Sequence, residues 1–239
     1  EQHGPVVLIS NAPRPAVAVH DQLDSLGVPR AAWSGFVSSG DATRAILAVR
    51  APGPVFALGP DRDAPLYDGL GLEFAPLEEA AFIACTGLID DTNETPEDYR
   101  ARLQTMLARR LLMVCGNPDV VVERGDRLVY CAGAIADLYA SMGGEVLYAG
   151  KPYRPIYDMA LAKPETAAGR KVAASRVLAV GDSVRTDLKG ARTAGIDFLF
   201  VTSGIHSEQL GGRERPDCEA LTATLAAAGG MPTAVMREL

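Results

Sequence analysis

Short apolar runs alternate with stretches of helical periodicity along almost the whole chain. Pro5-Val6-Val7-Leu8-Ile9-Ser10 predicts a buried strand, ended by Asn11 and Pro13. Pro15 to Leu26 sets Val19, Leu23 and Leu26 at helical spacing, with Gly27 to close the helix. Asp41 to Val49 predicts a second helix. Val55 to Leu58 is a strand broken by Gly59-Pro60, and Ala80 to Cys85 is another. Thr95-Pro96-Glu97-Asp98 starts a helix running to Arg110, with Thr as cap, Pro at the first position and acids in the first turn. Leu111 to Cys115 is a strand. Val120 to Glu123 and Leu128 to Cys131 predict a hairpin whose turn is Arg124-Gly125-Asp126. Ala132 to Met142 is a helix of small residues, Glu145 to Ala149 a strand, and Pro155 to Lys163 a helix. Val177 to Val180 reads as a buried strand, and the segment on to Gly195 as a helix with Ala191 and Ala194 packed close. Phe198 to Val201 is the last clear strand and Cys218 to Ala228 the last helix. The alternation predicts a parallel sheet with helices on both faces. Residues 38–146 repeat it with no Pro/Gly linker of their own, so they read as an insertion into a host domain.

Composition narrows the class. The 239 residues suffice for one large core or two modest ones. A net charge of −7 argues against nucleic acid as a partner. No apolar stretch reaches the roughly 20 residues needed to span a bilayer. A cytoplasmic protein without membrane or nucleic-acid partners is expected, and a homodimer is left open. Cys85, Cys115 and Cys131 fall in or beside apolar runs, and Cys218 stands apart, so buried free thiols are expected rather than disulfides or a zinc site. His3, His20 and His206 accompany no Ser or Cys nucleophile motif, which excludes a hydrolase triad and a histidine metal site.

Three local signals carry chemistry. Gly181-Asp182 ends an apolar strand, and Asp187 follows five residues later. Ligands of open α/β sheets bind at the carboxyl ends of strands, and paired carboxylates there suit a hard cation such as Mg²⁺. Taken alone, the same residues also fit a helix cap and a dipole partner. Ser10 and Asn11 end the first strand, where a hydroxyl and a carboxamide can bind phosphate oxygens or simply form a turn. Lys151, in Gly150-Lys151-Pro152, follows a strand in a chain whose only other lysines are Lys163, Lys171 and Lys189. Lysine supplies a point charge where arginine supplies a fork. No Gly-x-Gly-x-x-Gly follows a strand. Gly150-Lys151 is not a P-loop, because Glu145 stands where the first glycine belongs and Pro152 replaces Ser/Thr.

In this order, Ser10, a long insertion, Lys151 and then Gly181-Asp182 through Asp187, the chain resembles the haloacid dehalogenase (HAD) superfamily, and within it the class IIA phosphatases. Ser38-Ser39-Gly40-Asp41-Ala42-Thr43 resembles the entry to that branch's cap, and Cys115-Gly116-Asn117-Pro118-Asp119 its Asn-Pro-Asp signature. Gly133-Ala134-Ile135 resembles the return to the core, and Gly195-Ile196 the end of the fourth motif's helix. The resemblance implies an α/β fold: a doubly wound parallel-sheet HAD-like core, residues 1–37 and 147–239, with an inserted α/β cap domain, residues 38–146. It implies a Mg²⁺-dependent phosphatase acting on small phosphorylated metabolites through an aspartyl-phosphate. Ser10, Asn11 and Lys151 would bind the phosphoryl group, Lys151 and Asp182 would serve catalysis, and Asp182 and Asp187 would hold or support the metal.

One departure stands out. The family's nucleophile belongs to an Asp-x-Asp motif on a strand before Ser10, and none of the nine preceding residues is aspartate. Asp61-Arg62-Asp63 has the spacing but lies after Ser10, within the cap region. The expectation is therefore a natural protein with a further N-terminal βα unit of about 30 residues. The alternative is a non-catalytic phosphate-ligand-binding protein that lacks the nucleophile.

Overall fold

The computed structural model describes residues 4–124, 127–168 and 172–239. The chain forms two compact units, Glu1–Gly150 and Lys151–Leu239.

The first unit runs β1 (Val7–Ser10), α1 (Ala16–Ser25), β2 (Gly35–Ser38), α2 (Ser39–Ala48), β3 (Val55–Leu58), β4 (Phe82–Cys85), α3 (Arg100–Ala108), β5 (Leu112–Cys115), β6 (Val121–Arg124), β7 (Arg127–Tyr130), α4 (Ala132–Ser141) and β8 (Val146–Tyr148). Strands β3, β4, β5 and β8 form a parallel sheet in that order. Side chains alternate across a strand, so neighbours in sequence enter opposite layers. Phe82, Ala84 and Val114 pack with Leu47 of α2 and with Leu66. Ile83, Cys85 and Met113 pack with Leu103 and Met106 of α3 and with Ile135 and Tyr139 of α4. Both faces are covered, which is why these strands read as continuous apolar runs.

Strands β1 and β2 pair in parallel, bringing Ser10 opposite Ser38. The pattern did not predict β2, whose four residues become a strand through this distant pairing. Strand β1 was expected to be buried, but its residues are half-buried. Helix α2 begins two residues earlier than expected because Ser38 and Asp41 form a capping box: Ser38 Oγ accepts from the Asp41 amide, and Asp41 Oδ2 accepts from the Ser38 amide, each at 2.9 Å. Asp41 Oδ1 also accepts the Ala16 N–H of α1 at 3.0 Å, so one carboxylate ties two helix starts together. The helix predicted from Thr95 has its capping box with Asp98, but Pro96–Tyr99 wind as a 3-10 turn before α3. Strands β6 and β7 form the expected antiparallel hairpin, with Val121 opposite Tyr130. The Gly125-Asp126 part of its turn lies outside the described residues.

The second unit contains α5 (Arg154–Ala168), β9 (Leu178–Gly181), a π-helical turn (Val184–Leu188), α6 (Lys189–Ala194), β10 (Asp197–Val201), α7 (Cys218–Ala227) and β11 (Ala234–Met236). The parallel sheet has the order β11-β10-β9. Its core gathers Val184, Leu188, Ala191, Phe198, Phe200, Leu210 and Leu225. Gly195, at φ 71°, closes α6 in the left-handed conformation that glycine adopts without penalty. Two expectations change here. The helix after Asp182 is a π turn followed by a short α-helix. Strand β9 is an edge strand among the described residues, and Leu178 and Val180 are 54% and 45% exposed, while Ala179 faces the core. Strand β11 was missed because its short Ala-Val-Met run becomes a strand only by pairing with β10.

No helix among the described residues is long and apolar enough to cross a membrane. All cysteines are free; Cys85, Cys115 and Cys131 are buried, and Cys218 is exposed. Burial pushes the Cys85 and Cys131 thiols up to about 12. A thiolate is the reactive form, so these sites are inert in the folded state. Ellman's reagent at pH 8 should therefore titrate Cys218 alone in the native protein and all 4 cysteines in denaturant. Rapid native reaction of a second thiol would contradict this packing.

Candidate active site

Asp182 stands at the carboxyl end of β9, immediately after Gly181. Asp187 folds back over this turn. Its Oδ2 accepts the backbone N–H groups of Asp182 at 3.2 Å and Ser183 at 3.1 Å, and its Oδ1 receives Lys151 Nζ at 2.6 Å. The Lys151 and Asp187 side chains are only 17% and 12% exposed. Gly181 is required here, because a Cβ would collide with the Asp187 carboxylate. The structure thus brings Lys151, Asp182 and Asp187 together from positions 36 residues apart.

The capping alternative for Asp182 does not hold. Ser183 caps the π turn, its Oγ accepting the Thr186 N–H at 3.3 Å. Asp182 Oδ2 instead accepts the Ile205 N–H at 3.0 Å, and Oδ1 has no hydrogen-bond partner among the described residues. Tyr157 of α5 supports the turn from below. It is 2% exposed, and its hydroxyl faces the carbonyl oxygens of Thr186 at 3.4 Å and Asp187 at 3.5 Å. Burial first, and then the Asp187 charge, push the Tyr157 phenol well above its usual value, so it stays a neutral donor. Sequence reasoning missed Tyr157, Ile205 and His206; each acts through contacts formed only when separate elements pack.

Ser10 and Asn11 lie in the first unit. Ser10 Oγ accepts the Ala12 N–H at 3.2 Å. Asn11 is 5% exposed, and its Nδ2 donates to Asp119 Oδ1 at 2.9 Å. Asn117 Oδ1 accepts the Asp119 N–H at 3.0 Å, so the Asn-Pro-Asp loop is braced by its own side chains and by Asn11. A Cβ on Gly150 would come within 2.5 Å of Asn11 Oδ1 and 2.6 Å of Ser39 Oγ, which explains the glycine before Lys151. The Asp61-Arg62-Asp63 triplet sits in a 3-10 turn after β3. Asp63 is 3% exposed, and burial raises its carboxyl above the usual range. Arg62 pairs with Asp91, which also accepts a two-pronged contact from Arg124 at 2.9 and 2.7 Å. The Arg124 guanidinium holds Asp91 below the usual carboxylate range.

No cluster of three or more His, Cys, Asp or Glu side chains gathers among the described residues. Mg²⁺ commonly takes one or two carboxylates and completes its shell with water and substrate phosphate oxygens. Asp182, with one oxygen anchored and one open, fits that donor set. Both Asp187 oxygens are committed to Lys151 and to backbone amides, so Asp187 fits as support.

The HAD-hydrolase-like family model matches residues 148–228, the stretch that holds Lys151, Asp182 and Asp187. A crystal structure of a haloacid dehalogenase-like family hydrolase from Brucella suis 1330 is 42% identical, covers 98% of this chain and 83% of that chain, and superposes with a TM-score of 0.86. The p-nitrophenyl phosphatase from Archaeoglobus fulgidus is 23% identical over 98% of this chain and 83% of its own, with a TM-score of 0.70. A possible sugar phosphatase of the HAD superfamily from Cytophaga hutchinsonii is 20% identical over 95% and 79%, with a TM-score of 0.72. A search of curated proteins gave no match. The chain belongs to the haloacid dehalogenase-like hydrolase family, and its fold is that family's α/β core with an inserted α/β cap.

Removing one partner of a largely buried ion pair costs about 3 kcal/mol, because the remaining charge stays desolvated. Asp187→Ala, which also strips two amides of their acceptor, should lower urea-unfolding stability by about that amount. Lys151→Met should cost less, since both amides still stabilise the Asp187 carboxylate. The reverse ordering would show that the amide contacts are minor.

Proposed function

We propose that the chain is a Mg²⁺-dependent phosphatase of small phosphate monoesters: sugar phosphates, phosphoglycolate-like acids or nucleoside monophosphates. The observation that carries the reading is Lys151, locked by Asp187 beside a strand-end carboxylate with one open oxygen. The phosphatase names of two structural neighbours support it. Bound Mg²⁺ would neutralise phosphoryl oxygens as charge moves in the transition state. Asp182, with Oδ1 unengaged, would hold the cation. Lys151, fixed by Asp187 against swinging into solvent, presents its ammonium to the phosphoryl oxygens. At the end of β1, the Ser10 hydroxyl and the Asn11 carboxamide are groups of the kind that bind phosphate oxygens, and Asn11 is held there by Asp119. Residues 1–37 and 147–239 make the core domain in this reading, and residues 38–146 form the cap that admits the leaving group and excludes water. An aspartyl-phosphate route, as the family resemblance implies, would need an attacking carboxylate besides Asp182 and Asp187, which are given to the cation and to Lys151 here. A cytoplasmic protein that acts on a small phosphorylated metabolite, without nucleic-acid or membrane partners and with homodimer formation left open, completes the proposal.

Assay of p-nitrophenyl phosphate with and without Mg²⁺ tests it. Hydrolysis should require the cation, and Asp182→Asn or Lys151→Ala should each lower kcat/KM by about 100-fold or more. Phosphate binding without hydrolysis of any monoester by the full natural protein would replace the reading with a non-catalytic phosphate-binding protein.

A further inference from the structure

Asp182 is oriented by a short segment that follows β10. Gly204, Ile205 and His206 meet the loop after β9 at two points. The Ile205 N–H holds Asp182 Oδ2 at 3.0 Å, and the Val184 N–H donates to His206 Nε2 at 3.3 Å. Gly204 allows this approach, since a Cβ there would collide with the Asp182 side chain. The amides of Asp182, Ser183 and Thr186 find acceptors within the loop, on Asp187 and Ser183. The Val184 amide is satisfied from outside it.

The imidazole is set for this task by its far side. His206 Nδ1 faces Gln209 Oε1 at 3.1 Å, and Gln209 Nε2 donates to Thr224 Oγ1 of α7 at 3.2 Å. Thr224 is buried, and the His206 ring leans on Phe200 of β10 with centroids 6.3 Å apart. This network assigns the neutral tautomer with its proton on Nδ1, donated to Gln209, which leaves Nε2 as the acceptor Val184 needs.

We propose that Gly204, Ile205 and His206 form a positioning clamp that fixes the Asp182 carboxylate with Oδ1 turned toward a divalent cation. Ile205 acts on the carboxylate itself, and His206 acts through the backbone two residues further on. His206 is a positioning residue; it needs no contact with substrate or cation. The inference rests on the metal role proposed above for Asp182.

The test is Mg²⁺ binding by calorimetry on the full chain, with amide exchange over residues 182–188 as a second readout. His206→Phe keeps the ring's bulk against Phe200 and removes the acceptor. It should weaken Mg²⁺ binding by about tenfold, the usual effect of losing a group that orients a metal ligand, and speed exchange at Val184. The KM for p-nitrophenyl phosphate at saturating Mg²⁺ should not move. His206→Gln, whose Oε1 can take the place of Nε2, should restore most of the affinity. If the Phe variant does not fold, His206→Asn serves, because its amide is too short to reach Val184 and should show the same tenfold loss. Unchanged Mg²⁺ affinity in the Phe or Asn variant, or a Gln variant as weak as they are, overturns the clamp. If Asp182→Asn abolishes Mg²⁺ binding in that case, the phosphatase reading survives. A wild-type chain that binds no Mg²⁺ defeats both.

Discussion

The contact between Lys151 Nζ and Asp187 Oδ1, at 2.6 Å, is the constraint on which the arrangement of the second unit's site depends. It is largely withdrawn from water, so neither group can be removed without leaving a costly charge behind. Asp187 meets that cost through a second set of bonds, the amides at the start of the turn after β9. The same carboxylate thereby fixes the ammonium and the backbone that carries Asp182. Gly181 is the steric condition for this packing, and the buried phenol of Tyr157 supports the turn through its carbonyls.

The first unit shows a similar economy with different groups. Asp41 caps α2 with Ser38 and also receives the first amide of α1. Asn117 Oδ1 accepts the Asp119 N–H within its loop, and the Asp119 carboxylate accepts Asn11 Nδ2. In both units a short carboxylate binds several backbone donors that would otherwise be orphaned at helix starts and strand ends. Polar side chains in the family's signature segments also hold structure together, as Asn11, Asn117 and Asp119 do.

Much of the fold was legible in the pattern. Both faces of the four-stranded sheet are buried, so β3, β4 and β5 stand out as apolar runs, and the punctuation by Gly59-Pro60 and by Thr95-Pro96 falls where the elements end or begin. Strands β2 and β11 were not legible, because three or four residues become a strand only through a partner far away in sequence. The exposure of Leu178 and Val180 among the described residues was not legible either, because a run of apolar residues does not reveal which strands pair beside it.

The candidate site divides along the same line. The sequence by itself determined the chemical inventory, a lysine after one strand and two carboxylates spaced five apart after another, and with it the family. Only the tertiary structure decided what each group is free to do. It spent both oxygens of Asp187, left one oxygen of Asp182 open, buried Asn11 against Asp119, and recruited Tyr157, Ile205 and His206. The physical reason is that residue type sets which bonds a side chain can form. Which of them it does form depends on the donors and acceptors that packing brings within about 3 Å, and those come from distant segments.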